Sequence, residues 1–163
     1  MNEDYIKELY VGKNYNYYKK GWNLENTKKF IPSRFNWAAC FFALPWLAYR
    51  KMYFWAVLYI CITTFIDLMD HFVPTPFNVS IWKYFATPIG LIIGCRANYW
   101  YKKHVEKQLK TISEKNHNIN NIEDIIRIKG GTSVWGAIIL TIIGLTLSIV
   151  IGSDRTIWGD SFK

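Results

Sequence analysis

The segment Phe35–Tyr53, FNWAACFFALPWLAYRKMY, decides the fold. It is aromatic, carries no charge before Arg50, and is interrupted by Pro45. Its apolar residues fall on every side of a helical wheel, whereas a surface helix of a soluble protein keeps one polar face. Residues 36–49 are fewer than the ~20 that a helix needs to span a bilayer. The segment therefore predicts a short re-entrant or interfacial membrane helix, bent at Pro45.

The overall composition hides this membrane pattern. Mean hydropathy is +0.01 and charged residues make up 20% of the chain, which are values typical of a soluble protein. The charges are gathered into two polar blocks that offset the apolar blocks in the average. The net charge is +8, but no nucleic-acid-binding motif accompanies it, so we expect no nucleic-acid partner.

The chain is predicted to divide into three parts, and the fold class is all-α. A polar, basic, cytoplasmic segment covers residues 1–34, a membrane domain covers 35–152 and a short polar tail covers 153–163. We expect a polytopic integral membrane protein with three long transmembrane helices, one short re-entrant or interfacial helix and a basic cytoplasmic helix. Within the membrane domain these are the re-entrant segment 36–49, the transmembrane helices 52–69, 81–101 and 134–151, and a cytoplasmic helix and loop over 97–133.

The distribution of basic residues predicts the topology. Seventeen of the twenty Lys and Arg residues lie in 1–34, at Arg50 and Lys51, or in 96–129. Because cytoplasmic flanks of membrane helices carry the excess of Lys and Arg, the N-terminus and both ends of 36–49 are expected in the cytoplasm. This gives three crossings of a bacterial cytoplasmic (inner) membrane. A full crossing by 36–49 gives four crossings, and this alternative stays open.

Several motifs resemble those of one family. They are Phe35-Asn36-Trp37-Ala38-Ala39, Pro45-Trp46, Tyr49-Arg50-Lys51-Met52, Asn98 with Tyr99 and Tyr101, and Gly130-Gly131-Thr132-Ser133 before an apolar tail. From Tyr15 to the last span, the chain resembles the bacterial membrane-protein family called domain of unknown function 2628. The resemblance implies a small multi-span inner-membrane protein. It implies no activity and transfers no catalytic residue.

Cationic, aromatic and amide residues gather near the predicted cytoplasmic boundary. We predict that they bind anionic lipid headgroups or an acidic partner. The positive-inside signal and the aromatic belt explain most of them equally well. Only the two asparagines exceed that explanation, and they are expected to hydrogen-bond between helices or to close a polar pocket. The candidate residues are Arg34, Asn36, Trp37, Trp46, Arg50, Lys51, Arg96 and Asn98.

Two smaller features complete the candidate sites. Asp67 and His71 lie four residues apart on one helical face, which suits a polar helix end, a proton or ion contact, or a metal pair that would need further ligands. Gly90 and Gly94 have the spacing that lets another helix approach closely, most simply one from the same chain.

The expected function follows from what the motifs include and omit. The sequence has no recognisable catalytic motif and no metal- or cofactor-binding pattern, so we expect no enzyme. We expect a structural or regulatory membrane subunit that binds anionic lipid and other membrane proteins or further copies of itself. The alternative is a component of an assembly that translocates a small solute, an ion or a proton.

Overall fold

The computed structural model describes residues 2–24, 35–72, 86–115 and 122–159. All regular structure within these ranges is helical, so the all-α prediction is confirmed. The elements are α1 (Glu3–Val11), a 3-10 turn (Gly12–Asn14), α2 (Tyr15–Leu24), α3 (Trp37–Phe41), α4 (Ala43–Tyr49), α5 (Tyr53–Phe72), α6 (Ala86–Lys115), α7 (Ile122–Lys129) and α8 (Val134–Gly159).

The short aromatic segment forms a helical hairpin, α3–α4. The Asn36 side chain caps α3 by accepting a hydrogen bond of 3.0 Å from the Ala39 N–H, and the two helices meet at Phe42 (φ −123°, ψ 50°). The sequence predicted a bend at Pro45, but the break lies three residues earlier, at Phe42. Pro45 lies in the first turn of α4, where a helix needs no N–H donor, so the proline is accommodated without a bend.

Each arm of the hairpin lies against a different long helix. The Asn36 N–H donates to the Gly94 carbonyl (2.9 Å), so α3 follows α6, and the Ser133 N–H donates to the Tyr49 carbonyl (2.9 Å), so α4 ends beside the start of α8. Leu44, near the start of α4, contacts Gly144 far along α8. The hairpin thus enters among the long helices and returns.

The close approach predicted for Gly90 and Gly94 is confirmed, and it lies within the chain. A Cβ atom added at Gly90 would be 2.9 Å from the Cys40 carbonyl oxygen, and one added at Gly94 would be 2.6 Å from the Phe35 ring and 2.8 Å from Cys40 Cβ. These distances leave no room for a side chain. The two glycines therefore allow α3 to pack directly on the backbone of α6.

The long helices alternate in direction. Tyr53 on α5 contacts Gly136 on α8, and further along the pair Ser148 Oγ donates to Asp67 Oδ2 at 2.9 Å, so α5 and α8 run parallel. The middle of α6 meets the start of α5, where the rings of Trp100 and Trp55 stack on each other. Ile62, later on α5, and Ile89, earlier on α6, line one cavity, so α6 runs opposite to both α5 and α8.

Helix α6 joins two elements that the sequence had separated. The span predicted at 81–101 and the cytoplasmic helix predicted from 97 form one helix of 30 residues, Ala86–Lys115; residues 81–85 lie outside the described ranges. Arg96, Lys102 and Lys103 interrupt its apolar part. Continuous helical propensity through these residues explains why no break occurs.

One helix in the described part of the chain is long and apolar enough to cross a membrane, not three as predicted. It belongs to the stretch Ile122–Ile151, where an 18-residue window has a mean hydropathy of 2.5 and is 0% buried. The apolar part of α5, Tyr53–Met69, is shorter. The core helix of a soluble protein would be buried, so this exposed helix indicates membrane association.

The apolar surface continues beyond that helix. Trp135 on α8 is 75% exposed and Phe54 on α5 is 74% exposed. Soluble monomers rarely expose a contiguous apolar surface of this kind. Both long helices therefore present apolar side chains outward.

A polar cap covers the basic end of the molecule; we define it as α1, α2, α7 and the C-terminal half of α6. Its core contains Val11, Val105, Ile112 and Ile126. Gly131 adopts φ +72°, and its N–H donates to the Tyr10 carbonyl at 2.6 Å. This hydrogen bond ties the chain after α7 to α1. The predicted basic N-terminal segment is thus packed helical structure over residues 3–22.

An ion pair holds α1 to α2 within the polar cap. Lys19 Nζ and the Tyr15 hydroxyl both donate to the Asp4 carboxylate at 2.9 Å. These two contacts, the lysine's being the stronger, lower the pKa of Asp4. The pair is exposed, so it orients the helices more than it stabilises them.

We predict that Gly90→Ala destabilises the protein, because the new methyl group must displace the Cys40 backbone. Overpacking of this kind costs about 1–3 kcal/mol. Gly21→Ala is the matched control: its Cβ would lie 4.0 Å from the nearest Asn98 side-chain atom, and alanine is favoured over glycine within a helix. Unfolding in mild detergent is the measurement. Equal stability of the two variants would contradict the packing of α3 on α6.

Candidate functional site

The residues predicted to form a cationic, aromatic rim do not share one surface. Trp37 is exposed and stacks on Phe41, with 5.9 Å between ring centroids, whereas Trp46 is buried. Arg96 is exposed and lies over the Tyr99 ring, 5.2 Å from its centroid. Arg34 lies outside the described residues. The other four candidates are Asn36, Arg50, Lys51 and Asn98, and each holds helices together.

Asn36 and Asn98 form the predicted hydrogen bond between helices. Asn36 Nδ2 donates to Asn98 Oδ1 at 3.0 Å, and both residues are buried. Trp22 Nε1 on α2 donates to the Asn98 carbonyl at 3.1 Å. This network joins the hairpin, α6 and α2 at one point.

Arg50 is enclosed by three tyrosine rings, which we call the aromatic box. Its guanidinium carbon lies 4.7 Å from the ring centroid of Tyr18, 5.5 Å from that of Tyr49 and 5.2 Å from that of Tyr101. The side chain is 5% exposed, and its Nε and Nη1 atoms have no hydrogen-bond partner among the residues that the structure describes. Arg50 is therefore a packing element and is not exposed to a lipid surface.

Tyr18 is affected by the same burial. Desolvation raises the pKa of its hydroxyl, and the nearby Arg50 charge opposes that rise. The phenol therefore stays neutral at physiological pH. The guanidinium therefore faces a neutral ring at Tyr18, and cation–π contacts stabilise its charge.

Lys51 closes the C-terminus of α7. Its Nζ donates to the carbonyls of Ile128 (3.1 Å), Lys129 (3.3 Å) and Gly130. An ammonium group here satisfies carbonyls that end without helical partners and opposes the negative end of the helix dipole. The backbone of Lys51 adopts φ 57°, which turns the chain from α4 into α5.

A basic pocket opens between the start of α5 and the polar half of α6. Its volume is about 470 Å³, within the range of small-molecule sites. Among the described residues, the lining holds several basic side chains and no Asp or Glu. The residues that line it are Lys51, Met52, Tyr53, Phe54, Trp55, Trp100, Lys103, His104, Lys107 and Gln108.

The charges in this pocket favour an anion. Lys103 and Lys107 are exposed, and Lys103 Nζ lies 3.5 Å from Glu106 Oε2 in a solvent-exposed pair that contributes little. Burial, and then the charge of Lys107, lower the pKa of His104. At neutral pH the imidazole is therefore uncharged and can donate one hydrogen bond beside the lysine ammonium groups.

Sequence reasoning missed this pocket. Lys103 and Lys107 were counted only in the positive-inside signal, and His104 was given no role. Their spacing of three and four residues places them on one face of a helix, and Trp100 continues that face. This spacing was the signal that the sequence offered. It could not show that the start of α5 supplies the opposite wall of the pocket.

A second cavity, the apolar groove, adjoins the basic pocket. The parallel rings of Trp55 and Trp100, 5.0 Å between centroids and 7° apart, line both cavities. The groove has a volume of about 190 Å³. Its other lining residues are Leu47, Leu58, Tyr59, Ile62, Ile89, Ile92 and Ile93.

The predicted proton or ion contact is resolved in part. Asp67 is half-buried and accepts its hydrogen bond from Ser148 on α8, whereas the His71 side chain lies outside the described residues. No group of three or more His, Cys, Asp or Glu residues that could hold a metal ion occurs in the described ranges. The Asp67 contact links α5 to α8 and leaves the ion-contact prediction untested.

One protein family matches the chain. The family model described as "Protein of unknown function (DUF2628)" matches residues 13–107, which is more than half of the chain. The chain belongs to this family. The match to DUF2628 includes the hairpin, the aromatic box and the basic pocket as far as Lys107, and it stops before α7 and α8. The resemblance found in the sequence extended further, to the last span. No curated protein and no solved structure matches the chain.

We predict that Arg50→Lys destabilises this DUF2628 protein although the charge is kept. Lysine lacks the planar group that contacts three rings, and each desolvated cation–π contact contributes about 0.5–2 kcal/mol. We expect a loss of roughly 1–3 kcal/mol in the free energy of unfolding in detergent. The control is Arg127→Lys, at an exposed position on α7. If both variants unfold alike, the aromatic box does not hold the helices together.

Proposed function

We propose that this protein is a small multi-pass membrane protein that binds anionic phospholipid at its basic pocket and acts as a structural or regulatory subunit. The observation that carries the proposal is the pocket itself. Its described lining holds lysines and a histidine and no acidic residue, and it lies where two outward-facing apolar helices meet the polar cap. Such a site is complementary to a phosphate group.

The depth of the pocket supports a lipid headgroup as its ligand. Tryptophan side chains concentrate at the level of the headgroups in membrane proteins, and Trp55 and Trp100 line the pocket on its apolar side. Lys103 and Lys107 follow Trp100 by one turn and two turns of α6. The ammonium groups would therefore lie where phosphates of the bilayer lie.

The helix directions support a three-crossing topology. The apolar part of α5, Tyr53–Met69, has about the minimum length that crosses the hydrocarbon core. Helices α5, α6 and α8 alternate in direction, and the hairpin returns to the end from which it started. With the basic end in the cytoplasm, the N-terminus is cytoplasmic and α8 leads outward.

Other expectations from the sequence stay predictions. Protein partners, homo-oligomers, and the translocation of a solute, ion or proton have no specific observation in their favour. The absence of catalysis is likewise an expectation. Lipid binding is preferred because a defined cavity with matching charge supports it.

We predict that Lys103→Gln combined with Lys107→Gln weakens the binding of anionic phospholipid. Each basic residue near an anionic surface contributes about 1 kcal/mol, so the pair corresponds to roughly a 30-fold change in affinity. The measurement is titration of phosphatidylglycerol into protein purified in neutral detergent, followed by native mass spectrometry.

The matched control removes the same charge from the same helix. Lys110→Gln with Lys115→Gln changes two exposed lysines of α6 that do not line the basic pocket. We expect this variant to bind like the wild type. Equal weakening by both pairs would mean that net charge alone attracts the lipid, and unchanged binding in the pocket variant would refute the site.

We predict that Lys19→Cys and Lys107→Cys are protected from an impermeant thiol reagent in intact cells, whereas Ser161→Cys is labelled. The native cysteines, Cys40, Cys61 and Cys95, are first replaced. Labelling of Lys19→Cys from outside overturns the three-crossing topology. If Lys107→Cys then stays protected, the result supports four crossings.

A further inference from the structure

The basic pocket and the apolar groove adjoin at one shared pair of side chains. Both are lined by the stacked side chains of Trp55 and Trp100. On one side of the stack the lining carries ammonium groups, and on the other it consists of aliphatic side chains together with Tyr59. The basic pocket also contains Met52, Tyr53 and Phe54, so it is the charged part of the lining that ends at this pair of rings.

We infer that one anionic glycerophospholipid occupies both cavities, with its phosphate in the basic pocket and one acyl chain in the apolar groove. The inference rests on the proposed function and narrows it: the ligand is a membrane lipid with a long chain, and the headgroup alone is not sufficient. The tryptophan pair would then contact the glycerol ester region, where a lipid itself changes from polar to apolar.

The groove is open sideways, as a lipid chain requires. Ile62 on α5 is 41% exposed and Ile92 on α6 is 55% exposed, so the two walls face outward. At the base, Leu47 of the hairpin and Ile93 of α6 are buried. An acyl chain could enter from the bilayer without any opening of the helices.

Other anions fit less well. A soluble phosphate compound would leave the groove unfilled. An acidic peptide would bring backbone N–H and C=O groups against aliphatic walls that offer them no hydrogen bonds, at a cost of several kcal/mol for each such group. An acyl chain has no such groups.

The packing of the hairpin explains why the groove exists. Helix α5 rests on α4 and α8, and α6 rests on α3. The tryptophan pair bridges α5 and α6 at one end, so the two helices are held apart along the aliphatic residues that follow. The groove is thus the space that remains where α4 and α3 support different helices.

The test compares phosphatidylglycerol with oleoyl chains and with hexanoyl chains, titrated into protein in neutral detergent. Ile62→Trp fills the groove and keeps the charge. Its matched control is Ile139→Trp, an exposed position on α8 that does not line the groove. We expect the wild type and the control to prefer the oleoyl lipid, and Ile62→Trp to lower that preference by about tenfold, equivalent to about 1.4 kcal/mol. Ile92→Trp, on the opposite wall, should have the same effect.

The outcomes separate the inference from the proposed function. Lys103→Gln with Lys107→Gln should weaken the binding of both lipids and keep the chain-length preference. If the wild type and Ile62→Trp prefer the oleoyl lipid to the same degree, the groove holds no acyl chain and the inference is wrong. The proposed function still stands in that case if the two lysine substitutions weaken lipid binding. Glycerol phosphate and the hexanoyl lipid are then compared as competitors of the oleoyl lipid. If the two compete equally well, the ligand is a soluble phosphate and the inference is also wrong. If the lysine variant binds like the wild type, both fail.

Discussion

The burial of the Arg50 guanidinium is the interaction on which the arrangement of helices depends. Removing an arginine from water costs several kcal/mol unless its surroundings compensate, and here the compensation comes from the faces of three tyrosines. Tyr18 belongs to α2 and Tyr101 to α6, while Arg50 itself ends α4. Moving any one of these helices would open the box and expose the charge to an apolar surrounding. This side chain therefore ties α2 and α6 to the hairpin, beside the network of Asn36, Asn98 and Trp22.

The next residue uses its charge in the opposite way. Lys51 directs its ammonium group to the final carbonyls of α7. Arg50 thus holds α2 through Tyr18, and its neighbour Lys51 holds α7. On α6, Lys102 donates to the Trp22 carbonyl near the end of α2, whereas Lys103 and Lys107 line the basic pocket. Charge that appeared in the sequence as a single topological signal is thus divided among packing, capping and an open pocket.

The sequence was most informative where local chemistry decides the structure. The all-α fold, the short segment at 36–49, the Asn36–Asn98 contact and the glycine face of α6 follow from composition, length and spacing. The position of the hairpin break did not, because a proline tolerated in the first helical turn gives the same sequence signal as one that bends a helix. Arg50 was expected at the surface. Its position in the sequence indicates how deep it lies relative to a membrane, but it does not show which distant tyrosines surround its side chain. The wall that α5 provides for the basic pocket is likewise a tertiary feature that no local pattern encodes.

The bond between the Gly131 N–H and the Tyr10 carbonyl has a consequence for the order in which the protein can be completed. It pairs a residue near the beginning of the chain with one that follows most of it, and loop closure over such a separation is slow compared with local helix formation. During synthesis α1 leaves the ribosome early and has no α7 to pack against until the hairpin, α5 and α6 have been made. Closure of the polar cap therefore marks a chain in which the hairpin, α5 and α6 are already present, and it can precede the completion of α8, which follows Gly131.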